Sequence, residues 1–164
     1  MEEEHRPAPH IPEALWAPWR MQYIGGPKPE GCALCTALEN DRLIVHRGER
    51  AFVIMNLYPY NNGHVMVAPI AHVPDFFAID EPTVVEMWQL TRRAMTALQA
   101  TENPNGFNVG MNLGRAAGAG IEDHVHQHVV PRWNGDTNFM PVVAGAKTIG
   151  EAIEETLAKL KSVF

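Results

Sequence analysis

The run His124-Val125-His126-Gln127-His128-Val129-Val130-Pro131 constrains this chain more than any other stretch. On an extended backbone, alternate side chains share one face. The three histidines would then follow one another at Cα spacings of about 6.6 Å. A row of imidazoles is costly to place in a core unless each ring finds a partner. The plain reading is an exposed strand face that happens to carry histidine. Against it, Val129 and Val130 suit a buried strand that ends sharply at Pro131. The other reading is chemical. Neutral imidazole is available near pH 7, and a covalent histidine intermediate splits one difficult displacement at phosphorus into two easier ones. The glycine-bearing loop Leu113 to Asp123 runs straight into the row and can supply backbone N–H groups to developing negative charge.

The rest of the chain predicts a single α+β domain over 15–164, preceded by a flexible Glu- and Pro-rich leader at 1–14. Strands are expected at Leu43–His46, Ala51–Leu57, His64–Ile70, Phe107–Asn112 and His124–Val130. Short links between them favour an antiparallel sheet of about five strands. Of two main helices, the first begins near Asp80 with Pro82 in its first turn. Its apolar stripe runs through Val84, Met87, Trp88, Thr91, Met95 and Leu98, so Met87 and Trp88 are expected in the core. The second is amphipathic, over Thr148–Phe164, with Thr148 and Glu151 at capping-box spacing. A short helix is expected from the cysteine pair to Glu39. The aromatic segment Leu15 to Ile24 is expected to dock on the domain or on a partner subunit.

The chain has 164 residues and a formal charge of −6, and its 13 Lys and Arg are scattered. That argues against a grip on long nucleic acid, which needs a basic stripe, but leaves room for a small anionic ligand. No apolar run reaches membrane-spanning length, and the N-terminus does not resemble a secretory signal. A cytoplasmic protein is expected.

The run His124 to Val130 resembles the signature of the histidine triad superfamily of nucleotide hydrolases and transferases. Ala117-Gly118 ahead of the triad and Gly63-His64 ahead of an apolar strand strengthen the resemblance, which covers roughly Trp16 to Asn138. Leu15-Trp16-Ala17-Pro18-Trp19-Arg20 together with Pro131-Arg132-Trp133-Asn134-Gly135-Asp136 is similar to a narrower branch, bacterial diadenosine tetraphosphate phosphorylases. The resemblance implies that His126 is the nucleophile, that His128 contacts phosphate and assists the leaving group, and that His64 supports the nucleophile. It places Asn56 on the ribose and Asn112 near the phosphate or the triad loop. Two departures stand out. Gln127 occupies a position that is usually apolar. Ala119 and Gly120 follow Gly118 where many relatives carry Gln or Ser, so phosphate contact would fall to backbone N–H groups of Gly118, Ala119 and Gly120.

The implied substrate is a dinucleoside polyphosphate, with inorganic phosphate or water as acceptor, and the implied assembly is a homodimer or larger homo-oligomer. Rival readings are a dinucleotide or nucleoside phosphoramidate hydrolase and a nucleotide-binding sensor or scaffold without turnover.

Cys32-Ala33-Leu34-Cys35 has the spacing that lets two thiolates share one zinc. An inert reduced pair and a redox pair are the competing readings. Some triad relatives resemble an arrangement in which two cysteines, a histidine after the second strand and the first triad histidine hold zinc. Here those are Cys32, Cys35, His72 and His124, a structural Zn2+ site with no organic cofactor. His5 and His10 fall in the leader, and His46 is expected at a strand end or surface. Trp133 suits either the core or a base stack. Arg132 suits either a phosphate or a surface salt bridge.

Overall fold

The computed structural model describes residues 31–138 and 149–164. The expected leader, the aromatic segment Leu15 to Ile24 and the proposed cap Thr148 lie outside the described residues. In chain order the elements are α1 (Ala33–Glu39), β1 (Ile44–Arg47), β2 (Ala51–Met55), β3 (Val65–Pro69), α2 (Glu81–Glu102), β4 (Gly106–Met111), β5 (Gln127–Arg132) and α3 (Ile153–Val163). Short 3₁₀ turns at Phe76–Ala78 and Arg115–Ala117 precede α2 and β5. The strands form one sheet in the order β1-β2-β3-β5-β4, antiparallel at every pairing. The α+β expectation with five strands holds.

Strand alternation divides the core in two. Val53, Met55, Val65, Val67 and Val129 pack with Met87, Leu90, Ala94, Ala97 and Leu98 of α2 and with Leu160 of α3. Phe52, Ile54, Met66 and Ala68 point the other way and pack against Leu34 and Leu38 of α1. Because position 128 lies opposite Met66 in the ladder, His128 belongs to the α1 face. Its neighbour Gln127 turns toward α2, where its Oε1 lies 3.3 Å from Thr91 Oγ1, whose hydroxyl it shares with the carbonyl of Met87 at 2.8 Å. The unusual polar residue thus sits on the face away from the histidines, satisfied by a partner one helix away.

Three expectations need correction. The stripe of α2 is centred on Leu90, Ala94 and Ala97. The two alanines let the helix sit close to the sheet, and this rotation leaves Trp88 on the flank, 54% exposed; Met87 is in the core as expected. The C-terminal helix begins at Ile153. Glu151 stands ahead of it as an acceptor for Thr156 Oγ1 and as an ion-pair partner of Lys159. The third correction concerns β5, which starts at Gln127 and excludes His124 and His126. Pro69 on β3 has no N–H to offer a ladder, and its carbonyl accepts from the His124 ring instead. The stretch 124–126 is still pinned, by Val125 N–H to the carbonyl of Val73 at 2.8 Å.

Candidate active site and metal cluster

The histidine positions are set by the ends of β3 and β5. Gly63 lies in the turn before β3 with φ +69°, where a Cβ would come within 2.8 Å of Leu98 Cδ2. Glycine is the residue that fits that backbone and that approach, and it delivers His64 fully buried beside β5. The rings of His64 and His128 lie with centroids 5.1 Å apart, and those of His128 and His126 4.9 Å apart. The structure therefore brings His64, His126 and His128 together, as expected from the triad resemblance. His126 is buried, and its Nδ1 lies 2.9 Å from the backbone oxygen of His124. A carbonyl only accepts, so Nδ1 carries the proton and Nε2 keeps its lone pair. Burial pushes the His126 imidazole below its ordinary value, against the opposing hydrogen bond to that carbonyl, so the neutral ring is favoured.

Tyr60, absent from the sequence-based site, also belongs here. Its ring stacks on His64 at 4.8 Å and meets His128 edge-on at 5.6 Å. Aromatic residues in a loop carry no sequence signal for such packing. Asn56 Oδ1 accepts from the backbone N–H of Tyr58, and its Nδ2 lies 3.4 Å from both ring nitrogens of His64. Asn56 is thus placed beside the histidines. Asn112 ties down the glycine loop, with Nδ2 donating to the carbonyl of Gly118 at 3.1 Å. Within that loop the N–H of Gly118 donates to Arg115 and that of Ala119 to Gly114. These two amides are turned into the loop rather than outward.

Arg132 and Trp133 have structural partners. The Arg132 guanidinium grips Asp136 through two nitrogens at 2.6 and 2.9 Å and reaches Asn108 at 2.7 Å. Asp136 also accepts from Asn61 Nδ2 and the N–H of Trp133. The hydrogen bond from Arg132 is the largest cause holding the Asp136 carboxyl far below the usual carboxylate range. Trp133 Nε1 donates to the carbonyl of Glu102 at the end of α2, which serves one of the orphan acceptors of a helix terminus.

A second cluster lies at the other end of the triad stretch. Cys32, Cys35, His72 and His124 place one ligand atom each within 4.8 Å of all the others. Cys32 Sγ is 3.3 Å and Cys35 Sγ 3.5 Å from His124 Nδ1, and Cys35 Sγ is 3.4 Å from His72 Nδ1. Tetrahedral zinc with ordinary bond lengths sets adjacent sulfur and nitrogen ligands about 3.5 Å apart. His124 Nε2 is spent on the carbonyl of Pro69 at 2.8 Å, so its Nδ1 offers a lone pair to the cluster. Burial pushes the Cys35 thiol up to about 11, helped by Cys32 beside it. A bound cation reverses that order and holds both sulfurs as thiolates. These four residues can bind a metal.

A five-stranded antiparallel sheet carrying this histidine row defines a class of nucleotide-processing domain. The chain belongs to the HIT domain family, whose model matches residues 37–135. Among its relatives is the AP-4-A phosphorylase of Mycobacterium tuberculosis, 34% identical over 156 residues, covering 88% of this chain and 80% of that protein. An uncharacterised HIT-like protein of Saccharolobus solfataricus is 27% identical over 66% of this chain and 79% of its own. Among solved structures, a Zn-bound histidine triad family protein from Mycobacterium smegmatis superposes with a TM-score of 0.67 at 26% identity, over 81% of this chain and 92% of that one.

Proposed function

We propose that the protein transfers nucleotides through a nucleotidyl-histidine intermediate on His126, with diadenosine tetraphosphate as substrate and inorganic phosphate as acceptor. The observation that carries this reading is the His126 ring. Its Nδ1–H is fixed on the carbonyl of His124 and its lone pair lies on Nε2, next to His128. The 34% identity to the mycobacterial AP-4-A phosphorylase supports the choice of substrate. In the first step Nε2 attacks the phosphorus bearing one adenosine. A P–N bond forms, the P–O bond to the rest of the bridge breaks, and ATP leaves with that electron pair. A phosphate oxygen then attacks the same phosphorus, the P–N bond breaks, and ADP is released. Asn56 is assigned to the ribose. Asn112 acts through the loop it ties at Gly118, and Gly118, Ala119 and Gly120 shape the wall facing the phosphates.

The metal we assign to Cys32, Cys35, His72 and His124 is zinc, on the two-sulfur, two-nitrogen donor set and its tetrahedral spacing. It would fix the segment that carries His126 without entering a step. A reduced compartment such as the cytoplasm suits such thiolates, and no helix among the described residues is long and apolar enough to cross a membrane. A homodimer is the assembly we assign. The edge strand β4 leaves Val109 exposed, and α2 exposes Val85 and Trp88; a strand edge with no partner among the described residues invites a second copy.

The deciding experiment incubates the protein with diadenosine tetraphosphate, with and without inorganic phosphate, and separates the nucleotides. ADP and ATP formed only with phosphate is the expected result. AMP and ATP formed regardless of phosphate would make water the acceptor. No product in either condition would turn the reading toward a phosphoramidate hydrolase or a binding protein.

A further inference from the structure

Four positions on one face of the sheet follow its strand order. Asn56 follows β2, His64 precedes β3, His128 lies on β5 and Gly110 on β4, and the strands run β2-β3-β5-β4. Strand alternation puts all four on the α1 face, at steps of about 4.8 Å from strand to strand. The first three carry polar side chains in sequence. Asn56 Nδ2 is 3.4 Å from the His64 ring, and His64 Nε2 is 3.0 Å from His128 Nδ1. The fourth carries no side chain.

Neither backbone nor packing calls for glycine at 110. Its φ is not in the left-handed region, and a Cβ built there meets nothing within 4 Å. Inside a strand, glycine costs stability and marks places where a ligand or another backbone comes close. Gly110 is exposed and lies directly opposite His128 in the β4–β5 ladder, where a Cβ would stand about 5 Å from that of His128. The other flank of His128 is walled by the rings of Tyr60 and His64. Beyond them α1 roofs β1, β2 and β3 through Ile44, Phe52, Ile54, Met66 and Ala68.

We infer that Gly110 is a specificity-determining residue: its missing side chain leaves the β4 flank of His128 open, and the leaving half of the substrate, a nucleoside polyphosphate, lies across it. This rests on the reading above, in which His126 takes the nucleotidyl group and Asn56 holds the ribose. The retained nucleoside then occupies the β2–β3 side, and the reacting phosphorus sits beside His126 and His128, whose rings are 4.9 Å apart. The rest of the bridge continues past His128 to the side where no side chain stands. A leaving inorganic phosphate is small enough to depart without that space. A leaving ATP, with its phosphates, ribose and base, is not.

The test is Gly110→Val. Valine suits a strand and finds the space free, so the variant should fold with a Tm at or above that of the parent. Two reactions compare leaving groups. Cleavage of diadenosine tetraphosphate expels ATP. Exchange of labelled inorganic phosphate into ADP runs the proposed second step in both directions and expels only phosphate. In Gly110→Val, kcat/KM for cleavage should fall by about tenfold or more, while exchange stays within about twofold of the parent. Parallel loss in both reactions, or no loss in either, overturns the inference. Gly106→Val, at the start of the same strand where a Cβ also meets nothing within 4 Å, should match the parent in both; a selective loss there equal to that at 110 overturns it too. Light scattering should give the parental mass for Gly110→Val. A changed mass would mean that the glycine serves an approach between copies, and overturns the inference. Calorimetry supplies a readout without turnover. A diadenosine tetraphosphate analogue with methylene bridges should bind Gly110→Val about tenfold more weakly than the parent, while AMP binds both alike. Equal weakening of AMP, or none of the analogue, overturns the inference. A parent that binds these ligands but neither cleaves nor exchanges would sink the proposed function, while calorimetry still judges position 110.

Discussion

Two histidine clusters flank the same short stretch, and they are built on opposite rules. Around His124 two sulfurs and two ring nitrogens converge within 4.8 Å of one another, a donor set that suits a cation. Around His64 the Tyr60 N–H donates to Nδ1 at 3.0 Å and Nε2 lies 3.0 Å from His128 Nδ1, so polar groups there pair with one another. Thiolates so close together need a cation to be stable, whereas paired imidazoles do not. Imidazole serves both because each ring's second nitrogen is committed elsewhere: to the carbonyl of Pro69 for His124 and to the carbonyl of His124 for His126. The backbone of His124, the proposed metal ligand, therefore holds the ring of His126, the proposed nucleophile, and the two clusters meet at one carbonyl.

The sharpest way to break this division of labour is His126→Ala. It should lower turnover of diadenosine tetraphosphate by about 10⁴-fold or more, with the circular dichroism spectrum and the metal content unchanged. A variant that kept near-parental turnover would remove the nucleophile from the site. Cys32→Ser attacks the other cluster. Metal content by elemental analysis should fall, and stability with it, by about 4 kcal/mol at ordinary zinc saturation, or roughly 10 °C in Tm. Parental protein that carries no metal and is indifferent to chelator would end the zinc assignment.

Much of this contrast was legible in the sequence. The alternation of His124, His126 and His128, the Cys32–Cys35 spacing and the apolar runs depend on residue types at fixed intervals, and the sheet follows from them; His64 and His72 joined the clusters through the resemblance to the triad family. The parts that were not legible depend on backbone groups. That β5 starts at Gln127 follows from the missing N–H of Pro69 and the use of its carbonyl by a side chain. That His64 accepts at Nδ1 follows from the amide of Tyr60, a group which every residue but proline possesses. Trp88 left the core because small residues at 94 and 97 rotate α2 against the sheet, a matter of shape rather than period. The Arg132–Asp136 pair had a signal, opposite charges four apart around Gly135, but not one that distinguished it from a phosphate contact.

That pair gives the next prediction, because it secures the far end of β5 as the proposed metal would secure the near end. Asp136→Asn should cost about 2–3 kcal/mol at neutral pH, since it weakens a charge-assisted pair whose carboxylate side chain is 8% exposed. The pH dependence has a definite sign. The Asp136 carboxyl lies below its unfolded value, so its contribution is fully present above about pH 4 and is lost as pH falls toward the folded value. Urea melts of parent and variant should therefore differ most at neutral pH, by a gap that narrows steadily as pH falls from about 4 toward 2. A gap that stays constant across that range would mean that the carboxylate charge is not the stabilising element.

The smallest effect belongs to the buried pair behind the histidines. Thr91→Val removes the hydroxyl that Gln127 Oε1 shares with the carbonyl of Met87 and leaves the buried amide oxygen short of a donor, at a cost of about 1 kcal/mol. Adding Gln127→Leu removes the unsatisfied group as well, and the double variant should recover most of that loss. Turnover separates two roles for the pair. If Gln127 only fills the α2 face, the double variant keeps parental kcat, because positions 126 and 128 lie to either side of a residue that points away from them. If the Thr91–Gln127 bond instead sets the rotation of β5, kcat falls while stability returns. The first outcome is expected, since the β3–β5 ladder from Val65↔Val129 to Val67↔Gln127 and the bond of Val125 to Val73 already fix the backbone on both sides of position 127.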